Sequence, residues 1–91
     1  MVFLLIAYDI AHDRRRVKLH KLLTGFGVQV QESVFECDLE EADRKRLLHR
    51  IKTLARPGDN IRIYPLCASC REQIRDAQGN LEPPPPEIYL G

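Results

Sequence analysis

Val2-Phe3-Leu4-Leu5-Ile6-Ala7-Tyr8-Asp9 is apolar at every position except its last. So short an apolar run, ending in a polar residue, reads as a buried strand. Successive side chains on a strand point to opposite faces, so this one offers apolar groups on both. Helices packed on one face would leave the other in need of a cover.

The flanking sequence supplies the helices. Leu19, Leu22, Leu23 and Phe26 recur at the spacing of one helix face, with Asp13 placed to cap the segment and Gly25 and Gly27 to stop it. Val17 falls off that stripe and is expected to pack at the first turn or against a partner. Val28, Val30, Val34 and Phe35 sit among polar residues and predict either two short strands or one long bent one, broken near residues 31–33. Asp38 and Glu41 have capping-box spacing, and Leu47, Leu48, Ile51, Leu54 and Ala55 line a second helix ended by Pro57-Gly58-Asp59. Over residues 60–66 the pattern alternates, with Ile61 and Ile63 on one face and Arg62 and Tyr64 on the other. Gln78-Gly79-Asn80 reads as a turn, residues 83–86 as a stiff polyproline spacer and residues 87–90 as a β-capable tail.

The order β-α-β-β-α-β predicts an α+β, ferredoxin-like subunit in which two helices cover one face of an antiparallel sheet. We place this domain at residues 1–78, with a proline-rich linker and C-terminal tail strand at 79–91. The uncovered face of the first strand is most economically buried in a sheet-to-sheet homodimer, the tail adding a strand to the partner's sheet edge. Size points the same way. A chain of 91 residues buries only about 60 to 65% of its unfolded surface as a monomer, so association adds needed stability.

The hydrophobic fraction of 44% is too high for a disordered chain. The apolar run at residues 2–8 is too short to span a bilayer and lacks the basic flank and cleavage site of a secretory signal, so no membrane partner and a cytoplasmic location are expected. Three Cys imply no disulfide framework. A net charge of +1 hides segregation: residues 32–43 carry acids without bases, residues 44–56 bases without acids, and Arg14, Arg15, Arg16, Lys18 and Lys21 form a second basic cluster. The two clusters are either solvated helix faces or a phosphate-binding surface.

Asp9, closing the first strand, is the most informative acid. It can start a turn or cap the helix; near a dimer axis, two copies of it would suit Mg²⁺, which takes one or two carboxylates plus waters and substrate phosphates. Cys67-Ala68-Ser69-Cys70 has C-x-x-C spacing, and Cys37 could add a third thiolate. A structural zinc needs a fourth ligand, and His12, His20 and His49 all lie far from the pair in sequence. A redox motif would be expected after a first strand rather than a last one, so the reading is of buried or idle thiols. The three His read as solvated helix positions. Gly25, Gly27 and Gly58 read as turn glycines at helix ends, and Tyr8, Tyr64 and Phe35 as core aromatics more than base-stacking platforms.

Four stretches in order, Tyr8-Asp9-Ile10, Asp13-Arg14-Arg15-Arg16, Val30-Gln31-Glu32-Ser33-Val34-Phe35-Glu36 and Ile61-Arg62-Ile63-Tyr64-Pro65-Leu66-Cys67, resemble the small CRISPR-associated adaptation protein family, often described as CRISPR-associated endoribonucleases. The resemblance spans roughly residues 1–70. It implies a homodimer of ferredoxin-like subunits that joins the CRISPR integrase in spacer acquisition, bridging integrase dimers and binding duplex DNA. It also implies, for some members, Mg²⁺-dependent endonuclease activity on single-stranded RNA or double-stranded DNA, with Mn²⁺ as an alternative ion. By position, Asp9 resembles the family's catalytic and metal-binding aspartate, and Tyr8, Arg14, Arg16, Ser33 and Phe35 fall at positions linked to its cleft or the support of that cleft; duplex DNA laid across basic residues would meet the cluster of Arg14, Arg15, Arg16 and Lys18. One departure stands out: some members carry Arg where this chain has Gln29, which puts in doubt any nuclease role leaning on that Arg. A reading from outside the family is a ferredoxin-like regulatory module binding a small ligand at its dimer interface, which would leave the basic helix start and Asp9 without roles.

Overall fold

A computed structural model describes residues 1–80. The expected spacer at 83–86 and tail strand at 87–90 lie outside the described residues. Within them the elements run β1 (Val2–Asp9), α1 (Asp13–Thr24), β2 (Val28–Gln31), β3 (Val34–Leu39), α2 (Glu41–Leu54), β4 (Asn60–Leu66) and the single turn α3 (Ala68–Arg71). The strands form one sheet in the order β2-β3-β1-β4, every neighbouring pair antiparallel. This is the expected ferredoxin-like βαββαβ plan with a short helix appended. The stretch at 28–39 resolves into two strands, broken at residues 32–33 as the polar residues there suggest.

β1 lies between β3 and β4, and its apolar run from Val2 to Tyr8 supplies side chains to both faces of the sheet. Leu4, Ile6 and Tyr8 point toward the helices and join Leu19 and Leu23 of α1, Leu47 and Ile51 of α2, and Phe35, Cys37 and Leu39 of β3 in one core. Ile61 and Ile63 of β4 pack against it. Burying each such aliphatic side chain contributes about 1.5 to 3 kcal/mol, which anchors both helices to the same face of the sheet. Val17 is 62% exposed, off the buried stripe as its position on α1 dictates.

The other face holds Phe3, Leu5, Ala7 and Asp9 of β1, opposite Asp38, Glu36 and Val34 of β3 and Leu66, Tyr64, Arg62 and Asn60 of β4. Its Phe3 end is not bare. Phe3 is only 4% exposed because the Arg71 guanidinium of α3 lies 4.6 Å from its ring centre while pairing with Asp38 at 2.7 Å. Beyond α3, Leu5, Ala7, Val34 and Tyr64 stay partly open, Tyr64 at 43%.

Several local expectations are corrected. The α1 cap is His12, whose Nδ1 accepts the Arg15 N–H at 3.3 Å, while Asp13 begins the helix and pairs with Arg16. Asp38 and Glu41 form no capping box, because the chain is still extended at Asp38; Glu40 is the residue before α2, and Glu41 pairs with Arg44 one turn on. Gly27 is required less by the helix end than by crowding. A Cβ there would stand 2.4 Å from Cys37 Sγ and 2.5 Å from the Glu36 carbonyl oxygen. The histidines are not all solvated helix residues either: His20 packs edge-on against Phe35 at 5.5 Å and hydrogen-bonds Gln29.

Candidate functional site

Asp9 is exposed at the last position of β1, on the sheet face away from the helices. On one side its strand ends beside the β2–β3 turn, where the Ser33 carbonyl accepts the Tyr8 N–H at 3.0 Å. Ser33 takes a φ of 61° to close that turn, a left-handed conformation that costs an ordinary residue roughly 1 kcal/mol. On the other side, Asn60 is Asp9's cross-strand partner and Arg62 sits diagonally on the same face, opposite Ala7. Cross-strand and diagonal neighbours lie within reach of long side chains, so a carboxylate, an amide and a guanidinium share this corner.

Tyr8, Ser33 and Phe35 are brought together, on the opposite side of the sheet from Asp9. Tyr8 is buried and stacks on Phe35 at 6.4 Å. Burial pushes its phenol above the usual tyrosine range, against the opposing pull of its Ser33 hydrogen bond and the Arg16 charge. It is neutral at neutral pH and serves to hold the strand end rather than to carry charge.

The four basic residues at the start of α1 divide. Arg15 grips Asp59 with two bonds, Nε to Oδ2 at 2.8 Å and Nη2 to Oδ1 at 3.0 Å. The Asp59 side chain is 4% exposed and its carboxyl is held below the usual range, first by Arg15 and further by the Arg56 N–H. Arg16 donates to the Ile10 carbonyl at 3.2 Å and to Asp13, tying the helix start to the residue after Asp9. Arg14 and Lys18 are exposed, and neither makes a hydrogen bond or ion pair within the described residues. Across from them α2 contributes His49 and Arg50. A groove of about 680 Å³ between the helices is lined by Arg15, Lys18, His49, Arg50 and Arg56 over Leu22 and Leu54. The two basic clusters of the sequence therefore meet on one outer surface.

The chain matches the family model described as CRISPR associated protein Cas2 over residues 1–74. It is a member of the Cas2 family. Among curated Cas2 relatives, a protein named CRISPR-associated endoribonuclease Cas2 1 from Chloroflexus aurantiacus is 51% identical, covering 98% of this chain and 99% of its own. Among solved structures, a chain of a partial Cas6-RT-Cas1–Cas2 complex superposes with a TM-score of 0.75 at 37% identity, covering 89% of this chain and 96% of that one. A hypothetical protein from Thermus thermophilus, TT1823, gives 0.73 at 40% identity over 93% and 98%.

Within one Cas2 chain Asp9 stands as a single carboxylate. The described residues contain no group of three or more His, Cys, Asp or Glu able to hold a metal ion. A carboxylate is an oxygen donor of the kind that hard divalent cations take. Asn60 and Arg62 carry no motif that singles them out, yet both belong to this corner; the alternation of β4 already put Arg62 on the face away from Ile61 and Ile63. No helix among the described residues is long and apolar enough to cross a membrane.

Proposed function

We propose that this Cas2 protein acts in CRISPR adaptation as a homodimer that bridges copies of the CRISPR integrase and binds duplex DNA, with metal-dependent endonuclease activity on single-stranded RNA or double-stranded DNA as a conditional property. One observation carries the reading: the partly open apolar strip of Leu5, Ala7, Val34 and Tyr64 ends at Asp9. Packing that strip against its own copy about a twofold axis removes apolar surface from water and draws two Asp9 carboxylates toward each other. The solved chain similar to this one within a Cas1–Cas2 complex supports the integrase as partner. The endoribonuclease name of the Chloroflexus relative supports phosphodiester cleavage.

In this reading Asp9 from each chain is the catalytic and metal-holding group. A bound Mg²⁺ or Mn²⁺ would polarise a phosphate oxygen and lower the pKa of a coordinated water. Asn60 and Arg62 flank the carboxylate, and Arg62 is placed to meet phosphate charge. Tyr8, Ser33 and Phe35 hold the strand end from beneath. Arg14 and Lys18, with Arg50 across the groove, contact the DNA backbone, while Arg15 and Arg16 fix the helix that presents them.

The test is spacer integration by the purified protein with its integrase, run beside cleavage of labelled RNA and duplex DNA. Asp9→Ala is expected to lose metal-dependent cleavage and keep integration; Arg14→Ala with Lys18→Ala is expected to weaken DNA binding and integration together. Loss of integration in Asp9→Ala with normal assembly would contradict an adaptor role that does not need Asp9, and unchanged metal-dependent cleavage in that variant would overturn the assignment of Asp9.

A further inference from the structure

Cys67 and Cys70 are both exposed, and their sulfurs stand 3.2 Å apart across the turn that opens α3. A disulfide needs about 2.05 Å, so a modest side-chain rotation closes the gap. The turn is already held for it. The Arg71 N–H donates to the Cys67 carbonyl at 3.0 Å and the Cys70 N–H to Cys67 Sγ at 3.4 Å, while Arg71 locks α3 onto Asp38 and Phe3. No third metal-ligating side chain joins the pair among the described residues. The third cysteine has a different fate: Cys37 is fully buried in the core.

We propose that Cys67-Ala68-Ser69-Cys70 is a thiol–disulfide exchange site, with Cys67 the attacking and Cys70 the resolving thiol, whose co-reactant is a small accessible disulfide. The Cys67 thiolate attacks one sulfur of the disulfide, breaking its S–S bond and releasing the first thiolate. Cys70, giving its proton to solvent, then attacks Cys67 Sγ and releases the second. The two protein thiols are oxidised to one disulfide, the small disulfide is reduced to two thiols, and the protons lost by the cysteines are taken up by the leaving groups. The surroundings support this division of roles. Hydrogen bonds from Ser69, and then from Cys70, bring the Cys67 thiol down to about 7, whereas Cys70 is raised, chiefly by its bond to Cys67. Burial pushes Cys37 up to about 12, which keeps it out of the exchange.

The test uses the full chain, reduced and freed of reductant, then exposed to oxidised glutathione and followed by intact mass and peptide mapping. Wild type is expected to end as the Cys67–Cys70 disulfide without bound glutathione. Cys70→Ser is expected to accumulate a mixed disulfide at Cys67, and Cys67→Ser to react about tenfold more slowly at neutral pH. Circular dichroism checks that each variant keeps its fold, and the pH profile of the wild-type rate, rising through about 7, gives a readout independent of substitution. Persistence of both thiols in wild type, equal rates at Cys67 and Cys70 in the two variants, or reaction mainly at Cys37 would each overturn the proposal.

Discussion

Arg15 on α1 and Asp59 beside β4 are joined by two charge-assisted hydrogen bonds, and the residue after Asp59 is the cross-strand partner of Asp9. The pair thus fixes where the first helix begins relative to the corner that holds the candidate carboxylate. A bidentate guanidinium–carboxylate contact fixes orientation as well as distance. It also withdraws Arg15 from any external phosphate, which leaves Arg14 and Lys18 as the outward-facing cations of that turn.

This pairing makes stability depend on acid. The folded Asp59 carboxyl lies below its unfolded value of about 3.9. Its contribution is therefore complete above that value and is lost as pH falls through the lower folded one. Asp59→Asn is expected to lower the melting temperature by several degrees at neutral pH and to flatten the acid side of the stability curve. Thermal unfolding of both proteins from pH 7 down to pH 2 checks this; parallel acid limbs would contradict it.

On the outer surface, the prediction concerns salt. Replacing Arg14, Lys18 and Arg50 by Ala is expected to weaken duplex binding regardless of sequence and to reduce the slope of log K against log salt by about 0.9 for each phosphate that is no longer neutralised. Fluorescence anisotropy across a salt series measures both. Arg15→Ala, by contrast, should act mainly through stability.

For the open sheet face, Leu5→Glu places a charge at the centre of the exposed strip without touching the core. The dimer dissociation constant is expected to rise about thirtyfold or more, roughly 2 kcal/mol, with far-ultraviolet dichroism retained. Sedimentation velocity at several concentrations separates that outcome from an unchanged dimer.

Gly27→Ala tests the contact between the end of α1 and β3. Its methyl group would meet Cys37 Sγ and the Glu36 carbonyl, and the carbonyl cannot move without disturbing the β2–β3 ladder. A loss of about 1 to 3 kcal/mol is expected by denaturant titration. A neutral result would mean that the two strands separate more easily than their register suggests.

Much of this fold was legible because its signals are periodic. The apolar run from Val2 to Tyr8 marked a buried strand, and the Leu19-Leu23 and Leu47-Ile51 spacings marked the faces of two helices that do bury there. Capping was harder to read. Asp38 has the right type and spacing for a cap, yet β3 runs through it and Arg71 claims it from a segment more than thirty residues away. Arg15 and Asp59, 44 residues apart, likewise gave no local sign of their pairing. Spacing alone also hid the state of Cys67 and Cys70, since what separates an idle pair from a reactive one is the distance between sulfurs and the donors around them. Arg62 and Asn60 escaped the candidate site because register, not sequence proximity, brings them beside Asp9.

If two chains pair through the open face, their Asp9 carboxylates share one divalent cation. Mn²⁺ binding followed by electron paramagnetic resonance, on protein confirmed dimeric by light scattering, reads that stoichiometry. One ion for every two chains is expected in wild type, and none at that affinity in an Asp9→Ala dimer. One ion per chain, or undiminished binding in Asp9→Ala, would contradict the shared site.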